Sequence, residues 1–258
     1  ENALFRYFPD GAEAVPFAEF HEVFDAVLEG RIRYGIIPLE NTLTGSIHQN
    51  YDLLLQYPDI RIVGEKIIRI VHHLIGLPGA SIDDIRRVYS HPQALSQCAR
   101  FLERFPGWEK VPFYDTAGSV AHIQREGRKE NAAIASLEAA RAYRMNVLKE
   151  GIETDSRNYT RFVIIAREEL ARVEQPNKAS LVFATANTPG SLYQALRVLA
   201  ERDINMVKLE SRPILGKPWE ELFYVDVTVP DRPEAFQEAL EQLKGATESL
   251  RILGLYCS

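Results

Sequence analysis

Apolar positions along the first two thirds of the chain switch repeatedly between helical spacing and short continuous runs. Phe17, Phe20, Val23, Phe24, Val27 and Leu28 recur at intervals that place them on one face of a helix, and Gly30 stands where that helix would stop. Residues 34–38 follow as a short buried strand. Residues 39–45 are polar and predict a loop, with Ser46 as the cap of a helix whose apolar face holds Ile47, Tyr51, Leu54 and Leu55. Residues 60–63, 67–77 and 88–90 read as β segments. His91-Pro92 opens a helix with Leu95, Cys98, Ala99, Leu102 and Phe105 on one face, and proline is favourable at a first helical position. Residues 111–114 predict a strand, residues 115–119 a polar turn into a helix, and residues 132–135 and 162–166 further strands. Strands alternating with helices imply parallel sheets and an α/β architecture.

The pattern changes at residues 168–179, which are polar, contain Pro176 and Asn177, and predict a linker. After it come a strand (180–186), a helix (189–202) with Leu192, Leu196 and Leu199 facing inward, and two strands (204–210 and 221–229) around a turn with Gly216 and Pro218. A helix (233–243) and a closing strand (250–256) complete the unit. The order βαββαβ is that of a ferredoxin-like domain. A unit of about 80 residues buries a modest core and leans on a partner.

Composition narrows the class. The 258 residues, 26% charged and 46% hydrophobic, exclude a disordered, collagenous or coiled-coil chain and suit about two domains. No run of about 18 apolar residues is present, so no membrane partner is expected. The start shows no basic segment followed by an apolar one, and so no secretory signal; it also lacks Met, which points to a processed or cut terminus. Thirty basic residues against thirty-six acidic ones give a net charge of −6 without a large basic block, which argues against nucleic acid. Cys98 and Cys257 are too few for a disulfide framework or a zinc site and fit a reducing, cytoplasmic setting.

Candidate chemistry lies in polar loops that follow strands, where open α/β sheets bind ligands and helix N-termini offer free N–H groups to a small anion. In Asn158-Tyr159-Thr160-Arg161-Phe162 a hydroxyl donor, a carboxylate clamp and an aromatic ring open a buried strand; on these residues alone an ordinary strand start with a surface Arg is the commoner arrangement, since Thr and Phe favour strands. Glu40-Asn41 ahead of Gly45-Ser46, and Asp115-Thr116-Ala117-Gly118-Ser119, read either as anion-binding loops or as plain helix capping. His91 is an acid–base candidate or the cap of the Pro92 helix. His72 and His73 alternate on a β segment, point to opposite faces and make no metal site. Cys98 reads as core. In the last third, Gly190-Ser191-Leu192-Tyr193 opens a helix and Glu210-Ser211-Arg212-Pro213 ends a strand; both are turn chemistry or the two sides of a small carboxylate pocket.

Taken together, Thr160-Arg161-Phe162, Ile37-Pro38-Leu39-Glu40-Asn41, Ser90-His91-Pro92-Gln93-Ala94-Leu95 and Tyr114-Asp115-Thr116-Ala117-Gly118-Ser119 resemble prephenate dehydratase. Gly190-Ser191-Leu192-Tyr193 and Glu210-Ser211-Arg212-Pro213 resemble the two phenylalanine-site motifs of its regulatory ACT domain. The resemblance runs from about Phe17 to the C-terminus in the family's order. It departs at the start. The family opens with a strand and a Gly-x-x-Gly-Thr-Phe-Ser-like loop, whereas this chain opens at Glu1-Asn2-Ala3-Leu4-Phe5, in the helix after that loop; about twenty residues are therefore expected to be missing ahead of Glu1.

The resemblance implies a catalytic domain over residues 1–168, two α/β lobes like a type II periplasmic binding protein with the site in the cleft, and an ACT domain over residues 178–258. It implies conversion of prephenate to phenylpyruvate, water and carbon dioxide without a metal or organic cofactor, feedback inhibition by L-phenylalanine, and a homodimer or tetramer formed through the ACT domains. Carried onto this chain, it makes Thr160, Arg161 and Phe162 catalytic. Glu40, Asn41, Ser46, His91, Gln93, Asp115, Thr116, Ala117 and Ser119 would bind substrate, and Asn187, Gly190, Ser191, Leu192, Glu210, Ser211, Arg212 and Pro213 the effector. Arogenate as substrate, and a non-catalytic phenylalanine sensor, stay open alternatives.

Overall fold

The computed structural model describes residues 2–214, 216–217 and 219–258. The expected turn residue Pro218 lies outside them. Two sheets organise the chain. The first lobe begins with helices α1 (Asn2–Tyr7) and α2 (Phe20–Leu28), then strand β1 (Gly35–Asn41), the two-residue strand β2 (Gly45–Ser46), α3 (His48–Gln56) and β3 (Ile60–Arg69). The chain then crosses to a second lobe made of β4 (His73–Gly76), β5 (Arg87–Ser90), α4 (Pro92–Gln97), α5 (Ala99–Leu102), β6 (Glu109–Pro112), α6 (Thr116–Glu126), β7 (Asn131–Ala135), α7 (Leu137–Ala142) and β8 (Asn146–Lys149). It returns to the first lobe as β9 (Tyr159–Arg167). The C-terminal unit is β10 (Lys178–Ala184), α8 (Ser191–Ala200), β11 (Met206–Pro213), β12 (Glu221–Thr228), α9 (Pro233–Gly245) and β13 (Ser249–Cys257).

The returning strand β9 inserts between β3 and β1 and runs antiparallel to both. The second lobe has the order β6-β5-β7-β4-β8, and within it β5 is parallel to β6 and β7 while β4 is antiparallel to β7 and β8. The parallel pairing implied by alternating strands and helices is thus met in part of this lobe. Strands β11-β12-β10-β13 form the antiparallel ferredoxin-like sheet expected from the βαββαβ order.

Strand alternation explains how the C-terminal unit stays folded. Leu181, Phe183, Val225 and Val227 join one core with Ala195, Leu199, Phe236 and Leu243 of its own two helices. Val182, Tyr224 and Tyr256, on the opposite face, belong instead to a core with Phe24, Tyr51, Leu54, Val163 and Ile165 of the first lobe. The face that a ferredoxin-like sheet leaves bare is therefore covered by the first lobe, and the small unit leans on its own chain. Strand β13 also pairs in parallel with β3, through Gly254 opposite Ile62 and Cys257 opposite Gly64, so that eight strands form one sheet.

Four expectations fail locally. Residues 39–45 are not a loop: β1 runs to Asn41 and turns back at Gly45, with φ of 81°, into β2, placing Glu40 opposite Ser46. Ser46 does not cap α3, which starts after Ile47, because its hydroxyl is engaged by Glu210 and Lys208 of β11. The apolar run 67–77 is broken at residues 70–72, where the chain passes between lobes, and no polar residue or glycine punctuates that crossing before His72. The helix opened by Pro92 is also broken, at Cys98.

The seam makes a direct test. A Cβ on Gly254 would fall inside contact distance of the Ile62 carbonyl oxygen. Gly254→Ala is expected to cost about 1–3 kcal/mol, as overpacking does, and to lower the melting temperature by several degrees. An unchanged melting curve would show that β13 and β3 are not held this closely.

Candidate active site

The cleft between the lobes holds an open cavity of about 310 Å³ lined by Asn41, Ile70, His72, His91, Gln93, Ala94, Gln97, Asp115, Thr116 and Thr160. Each comes from an element end. Antiparallel register sets Asn41, the last residue of β1, opposite Thr160 near the start of β9. Asn41 also closes the β1–β2 turn: its Oδ1 accepts from the backbone N–H groups of Leu43 (3.0 Å) and Thr44 (3.1 Å). Those backbone donors fix which end of the amide is oxygen. Its Nδ2 therefore donates towards Thr160 Oγ1 (2.9 Å), Asn158 Oδ1 (2.7 Å) and the Tyr159 carbonyl (3.1 Å). Because Thr160 accepts from Asn41, its own hydroxyl proton is available to another acceptor.

The second lobe supplies two helix starts. His91 caps α4, its Nδ1 accepting from Gln93 N–H at 3.2 Å, and Gln93 Nε2 reaches across the cleft to Thr44 Oγ1 at 3.2 Å. Asp115 caps α6 by accepting from Gly118 N–H. Among the described residues the lining contains no Lys or Arg; it is built of amides, imidazoles, two threonine hydroxyls, one carboxylate and the apolar Ile70 and Ala94. Burial lowers the pKa of His72, against opposing effects from its hydrogen bond to Gln97 and from Glu153, and so favours a neutral ring. No group of three or more His, Cys, Asp or Glu among the described residues is arranged to hold a metal ion.

The remaining expected site residues go elsewhere. Arg161 points away from Thr160, as alternation on a strand requires. Its buried guanidinium bonds Glu65 Oε2 (2.7 Å), Asp226 and the Tyr256 hydroxyl (2.8 Å). Burial alone would discourage its charge, but Asp226, Tyr256 and Glu65 outweigh that and raise its pKa. It is not placed to clamp a carboxylate in the cleft. Phe162 is half-buried and does not line the cavity. Glu40 faces Lys208 (3.1 Å) and Arg161 (3.8 Å), and Ser46 faces Glu210, so both belong to the seam with the C-terminal unit. Ala117 is exposed, and Ser119 is buried with its Oγ on the Thr116 carbonyl (2.6 Å). Three polar residues of the cleft were not expected: His72, Gln97 and Asn158. Gln97 lies four residues after Gln93, one helical turn on, which is the signal that could have found it.

In the C-terminal unit, Gly190 has φ of 86° and precedes α8, Asn187 is exposed and Leu192 is half-buried against that unit's core. Ser191 Oγ bonds the Thr188 carbonyl at 2.9 Å. Glu210 and Arg212 turn towards α3, pairing with His48 (2.7 Å) and Asp52 (2.9 Å), while Ser211 and Pro213 are exposed. Burial raises the Glu210 pKa, but hydrogen bonds from Ser46, Lys208 and His48 bring it below its usual value.

Comparison with known proteins bears on this arrangement. The family model for prephenate dehydratase matches residues 1–170 and that for the ACT domain matches residues 179–245. The chain belongs to the prephenate dehydratase family. A curated relative of this dehydratase, arogenate dehydratase/prephenate dehydratase 2, chloroplastic, of Arabidopsis thaliana, is 40% identical over 266 residues, 99% of this chain and 69% of that protein. A prephenate dehydratase from Arthrobacter aurescens, solved in complex with L-Phe, superposes with a TM-score of 0.88 at 27% identity and covers 100% of this chain and 86% of that one. GqqA, described as a novel type of quorum quenching acylase, superposes with a TM-score of 0.87 at 33% identity, over 98% of this chain and 92% of that one. The dehydratase lobes and the ACT domain follow the two-lobed binding-protein-like and ferredoxin-like plan.

The seam of this dehydratase rests on Asp226. Asp226→Ala leaves part of a buried guanidinium unpaired and is expected to cost about 3 kcal/mol or more. Urea unfolding would show it as a lower midpoint with an unchanged slope. Equal midpoints for the variant and the parent would contradict the assignment.

Proposed function

We propose that this chain converts prephenate to phenylpyruvate, water and carbon dioxide, under feedback control by L-phenylalanine. The observation that carries the reading is the Thr160 hydroxyl in the cleft, accepting from Asn41 and left with a proton to give. The C–O bond to the ring hydroxyl breaks and the oxygen leaves with a proton as water. The bond to the ring carboxylate breaks, carbon dioxide departs, and the electron pair it leaves completes an aromatic ring. Hydroxide is the poor leaving group, so a positioned donor at that oxygen lowers the barrier, by roughly 10²–10⁴-fold for general acid catalysis. A threonine hydroxyl is a weak acid; Thr160 orients and relays a proton that solvent replaces.

The departing carboxylate is best left weakly paired, since a salt bridge would stabilise the ground state. The apolar Ile70 and Ala94 and the absence of Lys or Arg among the described lining residues suit that need. The second carboxylate is assigned to neutral donors, Gln93 and the N-terminus of α6 at Thr116. Arogenate differs in carrying an amine where prephenate carries a keto group, and a steady-state comparison of the two substrates separates them. Acyl transfer through a side-chain nucleophile, one route open to an acylase such as GqqA is described to be, calls for that nucleophile to be held by a base; Thr160 Oγ1 is bonded instead by the amide of Asn41.

For regulation we assign the ammonium of phenylalanine to Glu210 and its carboxylate to the start of α8 at Gly190, with the ACT domains of two chains in a homodimer or tetramer. Because Glu210 also holds Ser46 and His48 of the catalytic lobe, effector binding there competes with a contact across the seam. We place the protein in the cytoplasm, a reading that the free thiols Cys98 and Cys257 suit.

Thr160→Ala should preserve the fold by circular dichroism and lower prephenate turnover about 100-fold or more; full turnover removes Thr160 from the mechanism. Glu210→Gln should raise the L-phenylalanine concentration for half inhibition about tenfold, within the usual range of allosteric coupling. Inhibition of unchanged potency would overturn the placement of the effector.

A further inference from the structure

The three cleft residues that the family motifs did not single out form one hydrogen-bonded line. His72 Nε2 lies 2.8 Å from Gln97 Oε1. The same Oε1 accepts from Asn158 Nδ2 at 3.0 Å. Asn158 Oδ1 accepts from Asn41 Nδ2, which also donates to Thr160. The line joins the lobes: His72 lies on the first crossing segment, Asn158 ends the second, and Gln97 ends α4. The two crossings are tied to each other by Ile70 N–H on the Asn158 carbonyl (2.8 Å) and Ile152 N–H on the His72 carbonyl (2.9 Å).

Its polarity is determined from one end. Backbone N–H groups of Leu43 and Thr44 can only donate, so the atom of Asn41 facing them is oxygen and the atom facing Asn158 is nitrogen. Asn158 must then present oxygen to Asn41 and nitrogen to Gln97. Gln97 must present oxygen, and His72 must present a proton. No amide in the line can flip without setting donor against donor or acceptor against acceptor.

We infer that His72 is a positioning residue of the dehydratase reaction, held with its proton on Nε2, which anchors the far end of the line and keeps Gln97, Asn158 and Asn41 in the arrangement that the hairpin imposes on Thr160. This rests on the reading of the cleft as a dehydratase site. The ring exchanges no proton with substrate. It supplies one donor, and protonation of Nδ1 would leave that donor in place. The low-dielectric setting makes each unmade link costly, so the line has one low-energy arrangement, in which the Thr160 hydroxyl proton is excluded from the protein side and turned to the cleft.

Two measurements test it. Ring ¹⁵N NMR of His72 in the full chain, without substrate, should show a neutral imidazole with Nε2 protonated at neutral pH; the Nδ1-protonated form would overturn the inference. In steady state with prephenate, His72→Leu should lower kcat about tenfold with KM changed less than about twofold, since geometry at the reacting centre is what is lost. His72→Gln, whose amide nitrogen can occupy the place of Nε2, should recover most of that loss. Full turnover by the Leu variant, or a Gln variant as impaired as Leu at an unchanged melting temperature, would overturn it. If the parent chain does not turn over prephenate, the functional reading fails, while the NMR result still decides the tautomer.

Discussion

The guanidinium of Arg161 is shared between the two halves of one eight-stranded sheet, the half in the first lobe and the half in the C-terminal unit. It lies on β9, beside Thr160, and is held by Glu65 of β3, by Asp226 of β12 and by Tyr256 of β13. Lys178 of β10 closes the group with 2.9 Å contacts to both oxygens of Glu65. Two cations and two carboxylates balance, as a buried cluster requires. Such a cluster contributes little net stability, because desolvation offsets most of the attraction; what it fixes is relative position. Neighbouring residues on a strand face opposite ways, so a shift of the ACT sheet that moves Arg161 also moves Thr160. That is a short mechanical route from the C-terminal unit to the Thr160 hydroxyl, and it needs no long chain of intermediates.

The hydrogen-bonded line through the cleft is made of amides and an imidazole. Amide side chains carry both donors and acceptors and so are ambiguous until something that can only donate or only accept adjoins them. Here the turn at Leu43 and Thr44 removes the ambiguity, and the consequence passes through three amides to a histidine. A backbone hairpin thereby dictates the direction of a hydroxyl. The same hairpin ends at Ser46, in contact with Glu210, so the turn that orients the cleft is also the turn that meets the ACT domain.

Periodicity in the sequence is enough for the helices with one apolar face and a clear stop, such as α2 ahead of Gly30 and α8, and for the βαββαβ order. It is enough to say that Thr160 and Arg161 diverge. It does not say which of the two faces the cleft, because both faces of β9 are buried and both residues are polar; the answer depends on where β12 and β13 settle, far along the chain. Glu40 and Ser46 were assigned to substrate for the same reason: a polar turn beside a helix looks alike whether it meets a small anion or a lysine of another domain. The crossing at residues 70–72 was hidden because its apolar residues suit a strand, and only His72 departs from that run. His72 and Gln97 needed both crossings in place before their contact had meaning.

The order in which the chain is made has a bearing on this architecture. The second lobe is inserted between β3 and β9, so it is complete on the emerging chain before β9 exists. Until then β1 and β3 have no strand between them, and their apolar faces wait. β9 is the piece that closes the first lobe, and the ACT strands that cover its far face follow directly behind. A ribosome synthesising this protein therefore delivers the finished insert first, the strand that closes the first lobe next, and only then the whole C-terminal unit that covers that strand's far face.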